Sequence, residues 1–246
     1  MAKEWGSDFL RYLAERPYAA GERLPPIAEI ASELGLSVGK LREQLEVARE
    51  LGLVDIRPKT GIRSLGFSFH PCLWASLRIA LALDPGHFDH FESLRHCVEG
   101  AFFLEAARLL QPEDKARLQE LIRRAWQLLQ GEPIQIPHAE HRELHLTVFS
   151  RLENPFVRGI LEAYWDAYET VGLNLFADYR FLNEVWTYHE RMVDLILSGD
   201  FDAAHTTLVE HNALLLKRPK LARARPTVGA GAGKGESMPA RRRVTG

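Results

Sequence analysis

Residues 21–64 read GERLPPIAEIASELGLSVGKLREQLEVARELGLVDIRPKTGIRS, and this stretch decides the architecture of the first part of the chain. Pro26 suits the first turn of a short helix running to about Leu34, Gly35 closes that helix, and Ser37 is placed to cap a second one. Two short helices joined by a glycine turn make a helix-turn-helix. On the second helix Leu41, Leu45 and Ala48, spaced four and three apart, define the face turned to a core. Ser37, Gly39, Lys40, Arg42 and Glu43 are left near its exposed N-terminal end. After Gly52, residues 53–56 and 62–64 form a short β-ribbon around Pro58, Lys59, Thr60 and Gly61, a wing that carries Arg57, Lys59 and Arg63.

An exposed helix end bearing Lys40 and Arg42 is what a reader of double-stranded DNA inserts into the major groove. The wing cations would reach neighbouring phosphates or the minor groove. Residues 1–65 carry ten basic and ten acidic side chains, so a helical protein-interaction module is the alternative. Locally the balance favours DNA, with six basic and four acidic residues from 37 to 63. Glu43, Glu46, Glu50 and Asp55 are expected to point away or to pair at helical spacing with Arg42, Lys40 or Arg49. Upstream, Trp5, Phe9, Leu10 and Leu13 predict a helix over residues 3–15, ended by the Arg16-Pro17 step.

Downstream the pattern is helical throughout. Stripes of period 3.6 predict helices over 74–83, 88–110, 112–130, 139–151, 154–176, 179–198 and 201–217. Turn signals such as Asp84-Pro85-Gly86 and Ser198-Gly199-Asp200 separate them, and Asn154 is placed as an N-cap. The expected fold is therefore mainly α: an N-terminal winged helix-turn-helix in residues 1–66 and an antiparallel bundle of six or seven helices in 71–216. The last thirty residues, 217–246, hold nine basic side chains against one acidic among Gly, Ala and Pro without apolar periodicity. They predict a disordered, solvated tail, or else a salt-sensitive arm for nucleic acid or an acidic surface. Residues 66–216 carry twelve basic and twenty-two acidic groups, which suits a cation site or plain solubility and opposes a grip on DNA.

No apolar run approaches the roughly 18 residues of a membrane helix, and the first residues lack the apolar core of a signal peptide. A cytoplasmic protein without membrane contact is expected. Cys72 and Cys97 add no disulfide framework.

The histidines carry the chemistry. His141 and His145 stand four apart in HAEHRELH, residues 138–145, which puts two imidazoles on one helical face about one turn apart. His189 lies ten residues before Gly199 and His211 twelve after it. Across an antiparallel turn both stand roughly 15–18 Å from it at 1.5 Å per residue, so one cluster of up to four nitrogen ligands is geometrically reasonable. Scattered histidines on half-buried helices are the alternative. His138, one turn before His141, is a spare candidate.

The order helix, glycine turn, S-x-x-x-x-R-E-x-L helix, G-L-V strand and P-x-x-G wing resembles the winged helix-turn-helix of the GntR superfamily of transcription regulators. Glu29, Ala31, Leu34, Gly35, Ser37, Arg42, Glu43, Leu45, Gly52, Leu53, Val54 and Gly61 match that pattern. Val38 stands where the family usually has arginine, and Gly39-Lys40 where it often has Thr-Pro. The later segment, R-x-x-x-E, then H-R-E-L-H, N-P, and two histidines across a Gly-Asp turn, resembles the FCD domain of FadR-type GntR regulators. In that domain an aspartate and three histidines commonly bind a metal. The family's D-x-x-x-H falls on His141 to His145, its next histidine on His189 and its last on His211, so that His141 replaces the aspartate.

The resemblance implies a homodimeric regulator that reads a palindromic operator and answers to a small organic acid. An all-imidazole set suits zinc, nickel, copper or iron rather than magnesium or calcium. Arg95 and Glu99 match the family's R-x-x-x-E and are candidates for the effector pocket, although they also read as a plain i,i+4 ion pair. Tyr164, Tyr168 and Asn174 are further candidates, the tyrosines having helix packing as their alternative.

A metallohydrolase is the competing class. The zinc-protease motif H-E-x-x-H needs a glutamate directly after its first histidine, and here Arg142 stands there. No G-x-S-x-G, Walker loop or G-x-G-x-x-G follows a strand; GAGAGKG lies in the tail. A metal-binding interaction protein without DNA affinity is a third reading.

Overall fold

The computed structural model describes residues 5–57, 61–175 and 178–215. Lys59 and the tail over 217–246 lie outside these residues.

Helix α1 (Asp8–Glu15) begins five residues later than the apolar pattern predicts. The reason is local: Ser7 accepts a hydrogen bond from the Leu10 amide, which caps the helix there and leaves Trp5 outside it, 52 % exposed. Helices α2 (Ile27–Leu34) and α3 (Val38–Glu50) are joined at Gly35, whose φ of 64° is the left-handed conformation that glycine adopts without strain. Ser37 caps α3 through the Lys40 amide. Strands β1 (Val54–Arg57) and β2 (Gly61–Ser64) pair antiparallel, with Ile56 opposite Ile62.

The segment before α2 extends this ribbon. Leu24 N–H donates to the Ile62 carbonyl at 2.9 Å, and Ser64 N–H to that of Glu22 at 2.9 Å. Phe9, Tyr12, Leu24, Ile30, Leu41, Leu45, Ala48, Val54 and Ile62 close one core beneath these elements. Each Phe, Leu, Ile or Val side chain among them contributes about 1.5–3 kcal/mol on burial.

Seven helices follow: α4 (Phe69–Leu83), α5 (His87–Leu109), α6 (Pro112–Leu129), α7 (His138–Val148), α8 (Pro155–Thr170), α9 (Tyr179–Ser198) and α10 (Phe201–Leu215). Asn154 caps α8 by accepting from the Phe156 and Val157 amides. The helix expected over 154–176 stops at Thr170, and the chain turns through Gly172 (φ 79°) into a 3-10 turn, Leu173–Leu175. Helices α9 and α10 form a hairpin around Gly199 (φ 83°), as the turn signal required. Phe103, Leu118, Leu121, Leu129, Leu144 and Ile196 centre the main core of the bundle.

Two close contacts join the N-terminal unit to the bundle. Pro71 of α4 lies against Gly52, leaving no room for a β-carbon there, and Arg78 of α4 pairs with Glu50. The pairing of Glu50 therefore differs from the local one expected, because α4 brings a cation to the end of α3. Further along, Asp166 of α8 holds both His70 of α4 (2.7 Å) and Arg142 of α7 (2.8 Å).

Candidate functional site

Helix α5 is the floor of the site. Its buried face is not purely apolar: between Phe88 and Phe91 on one side and Phe103 on the other it carries Glu92, Arg95 and Glu99, spaced three and four apart. Arg95 and Glu99 are 1 % and 0 % exposed and pair at 2.8 Å. The Arg95 guanidinium also lies 4.6 Å from the centre of the Tyr164 ring, and the Tyr164 hydroxyl donates to Glu92 at 3.0 Å. The pair is thus an i,i+4 ion pair, but one removed from water and embedded among polar groups.

Above this floor the four predicted histidines converge. His141 and His145 come from one face of α7, His189 from α9 and His211 from α10. One nitrogen from each lies within 4.8 Å of the others, and the ring centres are 4.4 to 6.4 Å apart. His145 Nδ1 contacts Glu99 Oε1 at 3.1 Å and Arg95 Nη2 at 2.8 Å, while its Nε2 lies 3.1 Å from His189 Nε2. Trp165 stands 4.7 Å from His141, and Trp186 stands 5.0 Å from His189, ring centre to ring centre. These indoles wall the cluster with apolar surface.

Among the described residues His141 Nε2, His189 Nδ1 and His211 Nε2 are buried with no hydrogen-bond partner, and so are Arg95 Nε and Nη1. Buried polar atoms left in this state cost roughly 1–3 kcal/mol each, so their concentration in one place points to a ligand rather than to packing. Burial, then the neighbouring imidazoles and Arg95, hold all four histidines well below their ordinary value of 6.5; for His145 the neighbours are Arg95 and His96. Neutral imidazole is the form that coordinates a metal.

The same shift fixes a pH dependence for the metal-free protein. In the unfolded chain these rings take up protons near 6.5, whereas in the fold they resist doing so. Their contribution is therefore intact above about pH 6.5 and is lost as the pH falls through their lower folded values. Thermal melts of chelator-treated protein are expected to shift to lower temperature between about pH 7.5 and 5.5; unchanged melts would contradict the burial of neutral rings.

The remaining candidates divide. His138 is committed elsewhere: Nε2 meets Glu169 at 2.9 Å and the ring stacks on Tyr168. Tyr168 lies 6.3 Å from His141, ring to ring. Asn174 stands in the 3-10 turn after α8 with its Oδ1 buried and unpartnered among the described residues. On the N-terminal unit, Ser37, Gly39, Lys40 and Arg42 are exposed at the start of α3. Arg57 pairs with Asp55 at 2.7 Å, and Arg63 donates to the Gly21 carbonyl at 2.7 Å. Gly61 has a φ of 78°, which the turn into β2 requires. Glu46 pairs with Arg49 as expected, while Lys40 and Arg42 have no ion pair among the described residues.

Trp165, Trp186 and Glu92 also belong to the surroundings of the site, Trp165 by the helix packing its spacing with Tyr164 and Tyr168 suggests and the other two by contacts between helices. Glu92 was legible in principle, since its spacing with Arg95 and Glu99 places three charged groups on an otherwise aromatic face.

A winged helix-turn-helix is thus followed by an all-helical bundle that carries a cluster of four histidines. Residues 92–214 match the FCD domain family. The chain is 26 % identical over 194 residues to the uncharacterized HTH-type transcriptional regulator YieP of Escherichia coli K12, spanning 76 % of this chain and 81 % of that one. In fold it is similar to a solved GntR protein of Streptococcus agalactiae, with a TM-score of 0.63 at 18 % identity over 86 % of this chain and 96 % of that one. The chain belongs to the FCD domain family.

Proposed function

We propose that this regulator is a cytoplasmic, homodimeric, metabolite-responsive repressor. Its helical domain binds one transition metal through His141, His145, His189 and His211, and a small carboxylate effector beside it. The observation that carries the reading is the set of buried, unpartnered nitrogens on three converging helices. Arg95 Nη2, which can only donate, lies 2.8 Å from His145 Nδ1, so in the metal-free fold Nδ1 accepts and Nε2 carries the proton toward His189. An ion on Nε2 would put the proton on Nδ1, which would then donate to Glu99, the usual arrangement for a metal-bound histidine oriented by a carboxylate. Four neutral imidazoles favour zinc, nickel, iron or copper over magnesium or calcium. A bound ion would supply positive charge to an anionic ligand, which these histidines and Arg95 would hold beside it.

Arg95 holds the second anchor. Its Nε and Nη1 have no partner among the described residues, and a guanidinium with spare donors suits a carboxylate. The Tyr164 ring packs against the guanidinium, and Tyr168, 6.3 Å from His141, and Asn174 are candidates for specificity. Effector binding would favour one placement of the two winged helices and so change operator affinity by its differential affinity for the two states.

The exposed start of α3, with Ser37, Gly39, Lys40 and Arg42, enters the major groove of each half-site of a palindrome, and the wings carry Arg57, Lys59, Gly61 and Arg63 toward the backbone. Replacing Lys40 or Arg42 by alanine is expected to weaken operator binding in gel shifts by roughly ten-fold or more if a base contact is lost, with the thermal melt unchanged. Unaltered shifts would take both residues out of the interface. The whole reading is tested by selecting bound sequences from a random DNA pool and by elemental analysis of the same preparation. Failure to enrich any sequence would leave a metal-binding interaction protein.

A further inference from the structure

The described cations of the N-terminal unit fall into two groups. Arg11 pairs with Asp8, Arg16 with Glu33, Arg49 with Glu46 and Arg57 with Asp55, and Arg63 donates to the Gly21 carbonyl. Among the described residues Arg23, Lys40 and Arg42 have no such partner, although all three are exposed. Arg23 and Arg42 line one cleft of about 380 Å³ between the start of α2, the first half of α3 and the wing.

Arg23 is held there from two sides. Its backbone bridges to Arg63, as part of the segment that pairs along β2. Its guanidinium lies over Gly61, with Nε 3.3 Å from where a β-carbon would stand. A β-carbon at 61 would press on this guanidinium, and the positive φ of Gly61 favours glycine there independently. Glu46 is the one carboxylate lining the cleft, and Arg49 holds it at 2.7 Å. Two guanidiniums face the opening without a partner to abandon, while an anion reaching Arg57 would have to displace Asp55.

Resting on the DNA-binding reading, we infer that Arg23 is a phosphate-binding residue that seats the DNA backbone in the cleft between wing and recognition helix, with Arg42 on its opposite wall. The occupant is the duplex backbone because, in a lining that is otherwise mostly apolar, the two cations have no acidic partner among the described residues, and Arg42 continues the exposed face of α3 that begins at Ser37. A phosphate contact positions the protein on any sequence, so its loss is read by salt dependence rather than by base preference.

The test uses full-length protein and a fluorescein-labelled duplex of random sequence, with binding followed by anisotropy across a salt series. Arg23→Gln is expected to weaken binding and to flatten the slope of log K against log salt by about 0.9 for each chain bound. Arg23→Lys is expected to keep the slope, and Arg57→Gln to change it less than Arg23→Gln. A role confined to packing the wing would lower the melting temperature and leave the slope alone. A wild-type slope in Arg23→Gln, alongside a flattened one in Arg42→Gln, overturns the assignment of Arg23 only. No salt-dependent binding by the wild-type protein overturns the DNA-binding reading as well.

Discussion

Protein purified with His189 or His211 replaced by alanine is expected to contain almost no transition metal, against about one equivalent per chain in the wild type. Each of these imidazoles is 2 % exposed or less and comes from a different helix, so neither can be replaced by a neighbour shifting along its own helix. His145→Ala should behave the same way and should also leave Glu99 without its ring contact. His138→Ala should retain the metal, because His138 is already committed to Glu169 and to the face of Tyr168. His141→Asp should retain it too, a carboxylate being an accepted ligand at such centres. Elemental analysis of the five variants decides the matter. Full metal in both His189→Ala and His211→Ala would remove the cluster from consideration as a metal centre, whereas DNA binding by the metal-free variants would show that the two units act separately.

The second large effect is on stability. Arg95→Ala is expected to cost about 3–5 kcal/mol, because Glu99 would remain fully buried without its cation. Burial already raises the Glu99 carboxyl above its ordinary range against the pull of Arg95, and removing Arg95 would push it further toward the neutral acid. The double replacement of Arg95 by Met and Glu99 by Leu should recover most of that loss, since well-packed apolar groups of similar size often match or exceed a buried ion pair. Urea unfolding of the single and double variants gives the comparison. Equal losses in the two would mean that the cost lies in packing against Tyr164 rather than in a stranded charge. If the double variant folds well but has lost its response to effector, the pair is retained for function at the expense of stability.

Period and punctuation made most of the fold legible. Gly35, Ser37, Asn154 and Gly199 act where their local chemistry said they would, because capping and left-handed turns depend on a few neighbouring residues. The helix Tyr179–Ser198 has the limits its pattern required. The start of α1 was missed because an amphipathic stripe does not reveal that a serine within it closes the first turn. The end of α8 was missed because apolar residues continue past Gly172 into the 3-10 turn, and hydrophobicity alone cannot tell a helix from a packed turn.

The helical site shows the same division. The spacing of His141 and His145 on one helix, and the similar distances of His189 and His211 from Gly199, follow from helix geometry and could be read directly. Which groups lie around them could not. The approach of Trp165 and Trp186, the clasp of Glu99 and Arg95 on His145, and the loss of His138 to Glu169 are contacts between residues far apart in sequence. The N-terminal unit repeats the lesson, for formal charge does not distinguish Arg23, Arg42, Arg57 and Arg63, and only their neighbours separate them.

By itself, then, the sequence determined a mainly helical chain with a winged helix-turn-helix at one end and placed four histidines where one cluster could form. Those properties depend on backbone periodicity and on turns, which are local. The tertiary structure decided which charges are spent on one another and which stay free. That depends on distances across elements, where moving a carboxylate by a few ångströms separates an ion pair from an open binding group.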